Sequence, residues 1–125
     1  MRRKNLGFTL IELIVVMTII SLLLTLAAPR YFRSIDKSKE TVLKANLVGT
    51  RDALDKFHAD TGKYPQQLSE LVEKHYLRTL PWDPIAESSD RWVLVPPADG
   101  QEGGVYNITS GAEGAGSDGV PYAEW

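Results

Sequence analysis

Gly7-Phe8-Thr9-Leu10-Ile11-Glu12-Leu13 decides how the rest of this chain is read. Upstream stand Arg2, Arg3 and Lys4; downstream an apolar run continues to Ala28. From Phe8 to Ala28 there are about 21 residues, the length a helix needs to cross a bilayer core. Glu12 is the single charge within that run. A carboxylate at the centre of a membrane helix costs about 2.5–3.5 kcal/mol, and less near an end, so its presence demands a partner. A secretory signal is the competing reading of such an N-terminus. Its apolar region is about 7–15 residues long and carries no carboxylate near its start.

Taken together, the basic leader, Gly7 and the run Phe8-Thr9-Leu10-Ile11-Glu12-Leu13 resemble the class III signal of type IV prepilins and type II secretion pseudopilins. The resemblance implies that a prepilin peptidase cuts between Gly7 and Phe8 on the cytoplasmic side and methylates the new amine of Phe8. It also implies that the apolar helices of many copies pack into the centre of a helical filament. An α-amino group, with a pKa of about 7.7–8, is mostly cationic at neutral pH, and methylation keeps the charge. Within one helix that amine and Glu12 are about one turn apart, so a self-pair is open to them. In a filament the amine of an incoming subunit can instead meet Glu12 of its neighbour, neutralising both charges and setting the axial register. The plain alternative is a membrane anchor whose Glu12 snorkels to the interface.

The chain has 125 residues and no cysteine, so one domain is expected and no disulfide can staple it. Subtracting the membrane run leaves a soluble part too small to bury much apolar surface, which makes a metal or neighbouring subunits plausible staples. The formal charge is −2, with 14 basic and 16 acidic residues. Loss of the leader would leave 11 basic residues against the same 16, a net of −5. A nucleic-acid binder would be net basic, so that class of partner is excluded. Arg30, Arg33, Lys37 and Lys39 beyond the run offset Arg2, Arg3 and Lys4, so charge alone does not orient the chain in a membrane.

Pro29 follows the apolar run and takes away the amide that would bond the carbonyl of Thr25. Either a kinked helix continues beyond it or the helix ends at the membrane surface. Helical periodicity resumes at once and predicts continuation over 29–61, with Leu43, Leu47, Leu54 and Phe57 on the apolar side and Val48 beside them. Glu40–Lys44 and Asp52–Lys56 are spaced as favourable helical ion pairs. Gly49 either permits close packing or does nothing. Thr61-Gly62-Lys63-Tyr64-Pro65 stops the helix, and Leu68, Leu71 and Val72 mark a second, short one within 66–75. Arg91-Trp92-Val93-Leu94-Val95 and Gly104-Val105-Tyr106-Asn107-Ile108-Thr109 read as a hairpin, with Tyr106 and Ile108 on one face and Leu47, Leu54 and Phe57 beneath it. The expected fold is α+β: a long N-terminal helix packed on a small antiparallel sheet, the four stretches being 1–7, 8–28, 29–61 and 62–125.

Thr61-Gly62-Lys63-Tyr64-Pro65, Leu68-x-x-Leu71, Tyr76-Leu77 and Pro81-Trp82-Asp83-Pro84 together resemble the major pseudopilin of type II secretion systems. The family's usual aromatic after the proline is absent here, where Ile85-Ala86 follows, and Trp82 is the candidate to fill its place. The resemblance implies a single-pass protein of the bacterial inner membrane with its C-terminal domain in the periplasm. It implies as partners further copies, minor pseudopilins, the prepilin peptidase and an inner-membrane assembly platform. Melting of the helix at Pro29 during assembly is a further implication. In that family a late loop binds calcium through carboxylates, backbone carbonyls and a serine. Ser110-Gly111-Ala112-Glu113-Gly114 and Gly116-Ser117-Asp118-Gly119 match it in part, which nominates Ser110, Glu113 and Asp118. The alternative is a glycine-rich loop held only by Tyr122 and Trp125.

No catalytic constellation stands out: there is no cysteine, His58 and His75 are far apart in sequence, and no glycine-rich stretch has the phosphate-cradling form. An enzyme is therefore not expected. The readings that remain are a structural pseudopilin supporting protein export, a type IV pilin of a surface fibre, and a monomeric membrane-anchored binding domain. Absence of the cysteine pair common near pilin C-termini favours the first over the second.

Overall fold

Helix α1 spans Leu10–Thr61, 52 residues, and contributes to two units that divide between Asp36 and Lys37. The computed structural model describes residues 3–125, so Arg2 of the basic leader lies outside the described residues. In the first unit, residues 3–9 are not helical and α1 begins at Leu10. Its large apolar side chains from Phe8 to Leu26 are all exposed, and by length and composition this stretch can cross a membrane. A helix that is apolar all round is built for lipid or for other helices. The hydroxyls of Thr18, Ser21 and Thr25 donate to the carbonyls of Ile14, Met17 and Ser21 at 2.7–2.8 Å, so these polar groups need no water. Pro29 lies inside α1, which is helical on both sides of it; the helix does not end there.

In the second unit the buried face of α1 runs Glu40, Leu43, Leu47, Thr50, Leu54 and Phe57, with Ala53 beside it. The steps of three and four residues make one continuous stripe. Leu43, Leu47, Leu54 and Phe57 pack as expected, whereas Val48 points out and is 65% exposed. Gly49 faces open space, so it serves no close packing in this chain. Of the two expected ion pairs, Asp52–Lys56 forms at 2.9 Å between exposed side chains. Glu40–Lys44 does not: Glu40 turns into the stripe and Lys44 pairs with Asp118 instead.

Gly62 ends α1 with φ +74° while its amide donates to the carbonyl of His58, the left-handed stop that suits glycine. Helix α2, Leu68–Glu73, is shorter than the 66–75 stretch expected, and buries Leu68 and Leu71. Strands β1, Val93–Val95, and β2, Asn107–Thr109, pair antiparallel with Leu94 opposite Ile108. Only β2 faces the core strongly. Val93 and Leu94 are 51% and 45% exposed, while Trp92, just before β1, and Val105, just before β2, are buried beside Ile108. Tyr106 does not follow Ile108 inward, although its amide still donates to the carbonyl of Val95 at 2.8 Å. Ahead of it, the amides of Gly104 and Val105 both donate to the carbonyl of Pro65, at 2.9 and 3.0 Å, which turns Val105 in and leaves Tyr106 edge-on to Tyr64.

Trp82 does not replace the missing aromatic after Pro84: it is 52% exposed, and Ile85 packs against the core. Trp92 supplies the buried indole of this region, its ring nitrogen donating to the carbonyl of Pro81 at 3.0 Å. The tail is docked rather than loose. Ala115 and Pro121 form an isolated antiparallel bridge, a 3-10 turn follows at Tyr122–Glu124, and Tyr122 meets Trp125 edge-to-face at 4.9 Å.

Candidate assembly and tail sites

Thr9 and Glu12 form a reciprocal cap at the start of α1. The backbone amide of Glu12 donates to Thr9 Oγ1 at 3.2 Å, and the amide of Thr9 donates to Glu12 Oε2, also at 3.2 Å. The Thr9 hydroxyl lies 3.4 Å from the same carboxylate oxygen. This is a capping box, in which the N-cap threonine and the glutamate three residues on each satisfy an amide that the helix leaves without a partner. Glu12 therefore has a role within its own chain beyond any counter-charge from a neighbour. The Thr-x-x-Glu spacing before an apolar run is visible in the sequence, yet weighing Glu12 only against an amine leaves Thr9 out.

The box has two consequences for the proposed processing residues. First, Gly7 and Phe8 lie ahead of the cap and outside the helix. Second, the amide used by Thr9 belongs to the Phe8–Thr9 bond, so hydrolysis between Gly7 and Phe8 would leave the box whole. Both of these contacts to the carboxylate end on Oε2. Pro29 lies farther along the same unit, inside α1.

Of the three tail residues nominated for calcium, Ser110 and Asp118 are engaged with different partners. Ser110 is fully buried and its hydroxyl donates to Asp83 Oδ2, while the amide of Ala112 donates back to Ser110 Oγ at 3.1 Å. Asp83 is also fully buried; its Oδ1 accepts the amides of Ile85 and Ala86 at 2.9 and 3.0 Å. Asp118 accepts the amide of Val120 through Oδ1 and pairs with Lys44 through Oδ2 at 3.6 Å. Glu113 is exposed. Among the described residues no group of three or more His, Asp or Glu side chains is placed to hold a metal ion. Calcium takes six to eight oxygen ligands, and this set as arranged does not fit one.

Sequence reasoning also missed Glu40, Arg51 and Asn107. Glu40 is 8% exposed; Oε1 accepts the amide of Ser117 at 2.8 Å and the hydroxyl of Tyr122 at 3.1 Å, and Oε2 accepts the hydroxyl of Ser117 at 2.6 Å. The Ser117 hydroxyl bond is the chief cause that holds the Glu40 carboxyl below its ordinary pKa, against the opposing effect of burial. Arg51 donates from Nε to Asn107 Oδ1 at 2.8 Å and from Nη2 to the carbonyls of Ile108 and Trp125 at 2.9 and 2.6 Å. One guanidinium thus ties α1 to both β2 and the tail. The missed signal for Glu40 is its position: three residues before Leu43, it continues the Leu43–Leu47 stripe. Of the two histidines, His75 is exposed, and His58 is half-buried and stacks on Tyr64 at 4.3 Å.

Residues 2–28 match the prokaryotic N-terminal methylation motif. The chain is 34% identical to the type II secretion system core protein G of Pseudomonas aeruginosa, over 85% of this chain and 92% of that protein. It is 33% identical to the protein of the same name from Escherichia coli, over 93% of this chain and 84% of that one. Against the Klebsiella pneumoniae counterpart the identity is 32%, over 100% and 96%. No solved structure matches the chain.

Proposed function

This chain belongs to the type II secretion system core protein G family, and from that premise we propose that it is a structural subunit of a periplasmic pseudopilus supporting protein export. The single observation that carries the reading is the methylation motif laid over a membrane-length helix whose apolar side chains are all exposed. Such a helix is stored in the membrane as a single-pass anchor and becomes the inner packing surface once copies assemble. The anchor would lie in the inner membrane with residues beyond it in the periplasm. The wider set of partners would be the prepilin peptidase, minor pseudopilins and an assembly platform.

Processing is hydrolysis of the Gly7–Phe8 amide, with water giving the Gly7 carboxylate and the Phe8 amine. A methyl group then passes from a sulfonium donor to that amine, which releases a proton and stays protonatable. The cationic Phe8 of one copy would face the Glu12 carboxylate of another, neutralising a desolvated charge and fixing the stagger between copies. Pro29 would mark where α1 loosens as the copies come together.

Intact-mass measurement of the protein extracted from membranes tests this reading. Phe8 is expected as the N-terminal residue, carrying one methyl group. In the same cells Glu12→Ala is expected to insert normally and fail to assemble, and deletion of the chain to stop exoprotein release. Residues 1–7 retained beside an active prepilin peptidase would overturn the processing. Loss of twitching with exoprotein release intact would move the chain to a surface pilus.

A further inference from the structure

The loop where the resemblance implies calcium is closed by other means. Three of its backbone carbonyls accept amides within the loop: Gly114 that of Tyr122, Gly116 that of Gly119, and Val120 that of Gly116, at 2.9–3.1 Å. Its carboxylate Asp118 is held by Lys44, whose ammonium also sits 4.3 Å from the centre of the Trp125 ring. Its serine, Ser110, is committed to Asp83. Among the described residues no three carboxylate or imidazole side chains gather there as a calcium cage would want.

What does reach into the loop is a side chain from α1. We propose that Glu40 is an intramolecular latch that does the work of a metal ion, docking the loop between Gly114 and Tyr122 directly on α1. Its carboxylate takes both donors of Ser117, one on each oxygen, and the Tyr122 hydroxyl as a third. Three donors around one anion are the arrangement that makes a buried carboxylate tolerable. The anchor is rigid, since Glu40 continues the stripe that Leu43 and Leu47 bury. Lys44, one turn on, covers the same loop from its edge through Asp118 and Trp125. A helix carboxylate on one side and a helix ammonium on the other thus grip consecutive loop residues, Ser117 and Asp118. The latch holds whether or not the chain builds filaments.

Full-length protein in detergent gives the test, by thermal melting and by amide hydrogen exchange read over 110–125, with calcium and with chelator. The wild-type melting temperature and exchange are expected to be indifferent to both. Glu40→Gln keeps the shape but puts an amide NH2 opposite a donor; it should lower the melting temperature and speed exchange at Ser117 by about tenfold or more. Ser117→Ala, which leaves the core untouched, should shift both readings in the same direction by less, so the outcome does not hang on Glu40→Gln folding. A wild-type melting temperature that rises with calcium and drops with chelator, an effect lost in Asp118→Ala, would overturn the latch in favour of a metal site. So would Ser117→Ala and Glu40→Gln both exchanging at the wild-type rate.

Discussion

Two acids on α1 stand among apolar neighbours, and each is satisfied by a different route. Glu12 is capped by Thr9, three residues away, so its partner is fixed by the local chain. Glu40 takes partners 77 and 82 residues away, so its satisfaction depends on the fold being complete. That dependence gives Glu40 a pH signature. Its pKa is lowered by the Ser117 hydroxyl bond first, then by the Ser117 amide and Tyr122 hydroxyl, while burial and the charge of Asp118 oppose. A carboxylate lowered on folding contributes stability above its unfolded value, and the contribution is lost as pH falls through the folded one. Denaturant melts are therefore expected to show wild-type stability falling from about pH 4.5 downward more steeply than that of Glu40→Gln. The charged groups nearest Glu40, Lys44 and Asp118, are present in both proteins and pair with each other. Equal slopes would mean that Glu40 takes up no proton on acid unfolding.

At the scale of elements, the ends and faces of α1 follow from residues next to them. The capping box starts it, Gly62 stops it, and the stripe from Glu40 to Phe57 sets the face it buries. Two glycines show how differently the same residue can matter. Gly49 is in mid-helix with nothing within 4 Å of an added Cβ, so Gly49→Ala is expected to raise stability by about 0.5–1 kcal/mol. Gly103 has φ +129°, and a Cβ there would fall 2.4 Å from the carbonyl oxygen of Tyr64. That close approach is what lets the amide of Tyr64 reach the carbonyl of Glu102 and the next amides reach Pro65. Gly103→Ala is expected to destabilise by more than about 1 kcal/mol, because the native backbone cannot take the side chain. Urea melts of the two variants should move in opposite directions.

For the whole molecule, the second unit has one core built from few residues: Leu43, Leu47, Ala53, Leu54 and Phe57 of α1 against Leu68, Leu71, Trp92, Val105, Ile108 and Tyr122. Two three-residue strands add little to it, so long polar contacts carry an unusual share of the organisation. Arg51 and Glu40 reach the tail, Asn46 reaches the carbonyl of Trp82, and Ser110 reaches Asp83. Leu47→Ala removes about 2–5 kcal/mol of burial and packing, which is comparable to the whole stability of a small domain. The variant is expected to lose cooperative melting while its apolar helix still enters membranes. A melting temperature near that of the wild type would show that the core is broader than these side chains.

The sequence by itself determined what is written over a few residues at a time. The methylation motif over residues 2–28 and a membrane-length apolar run are legible in it, because hydropathy and caps act within a turn or two of helix. The positions of α1, α2 and the hairpin are readable for the same reason, through periodicity and turn residues. Only the tertiary structure decided how the polar groups at the tail and the buried stripe pair. Glu40 and Lys44 have the spacing of a surface ion pair, yet Glu40 goes to Ser117 and Tyr122 and Lys44 to Asp118. Trp92 rather than Trp82 fills the core, and Val105 rather than Tyr106 turns inward. An ion pair on a solvated helix face contributes only tenths of a kcal/mol, so local spacing cannot hold a carboxylate against donors that a folded loop brings to it. Those donors come together only when the tail lies back on α1, which no local pattern specifies.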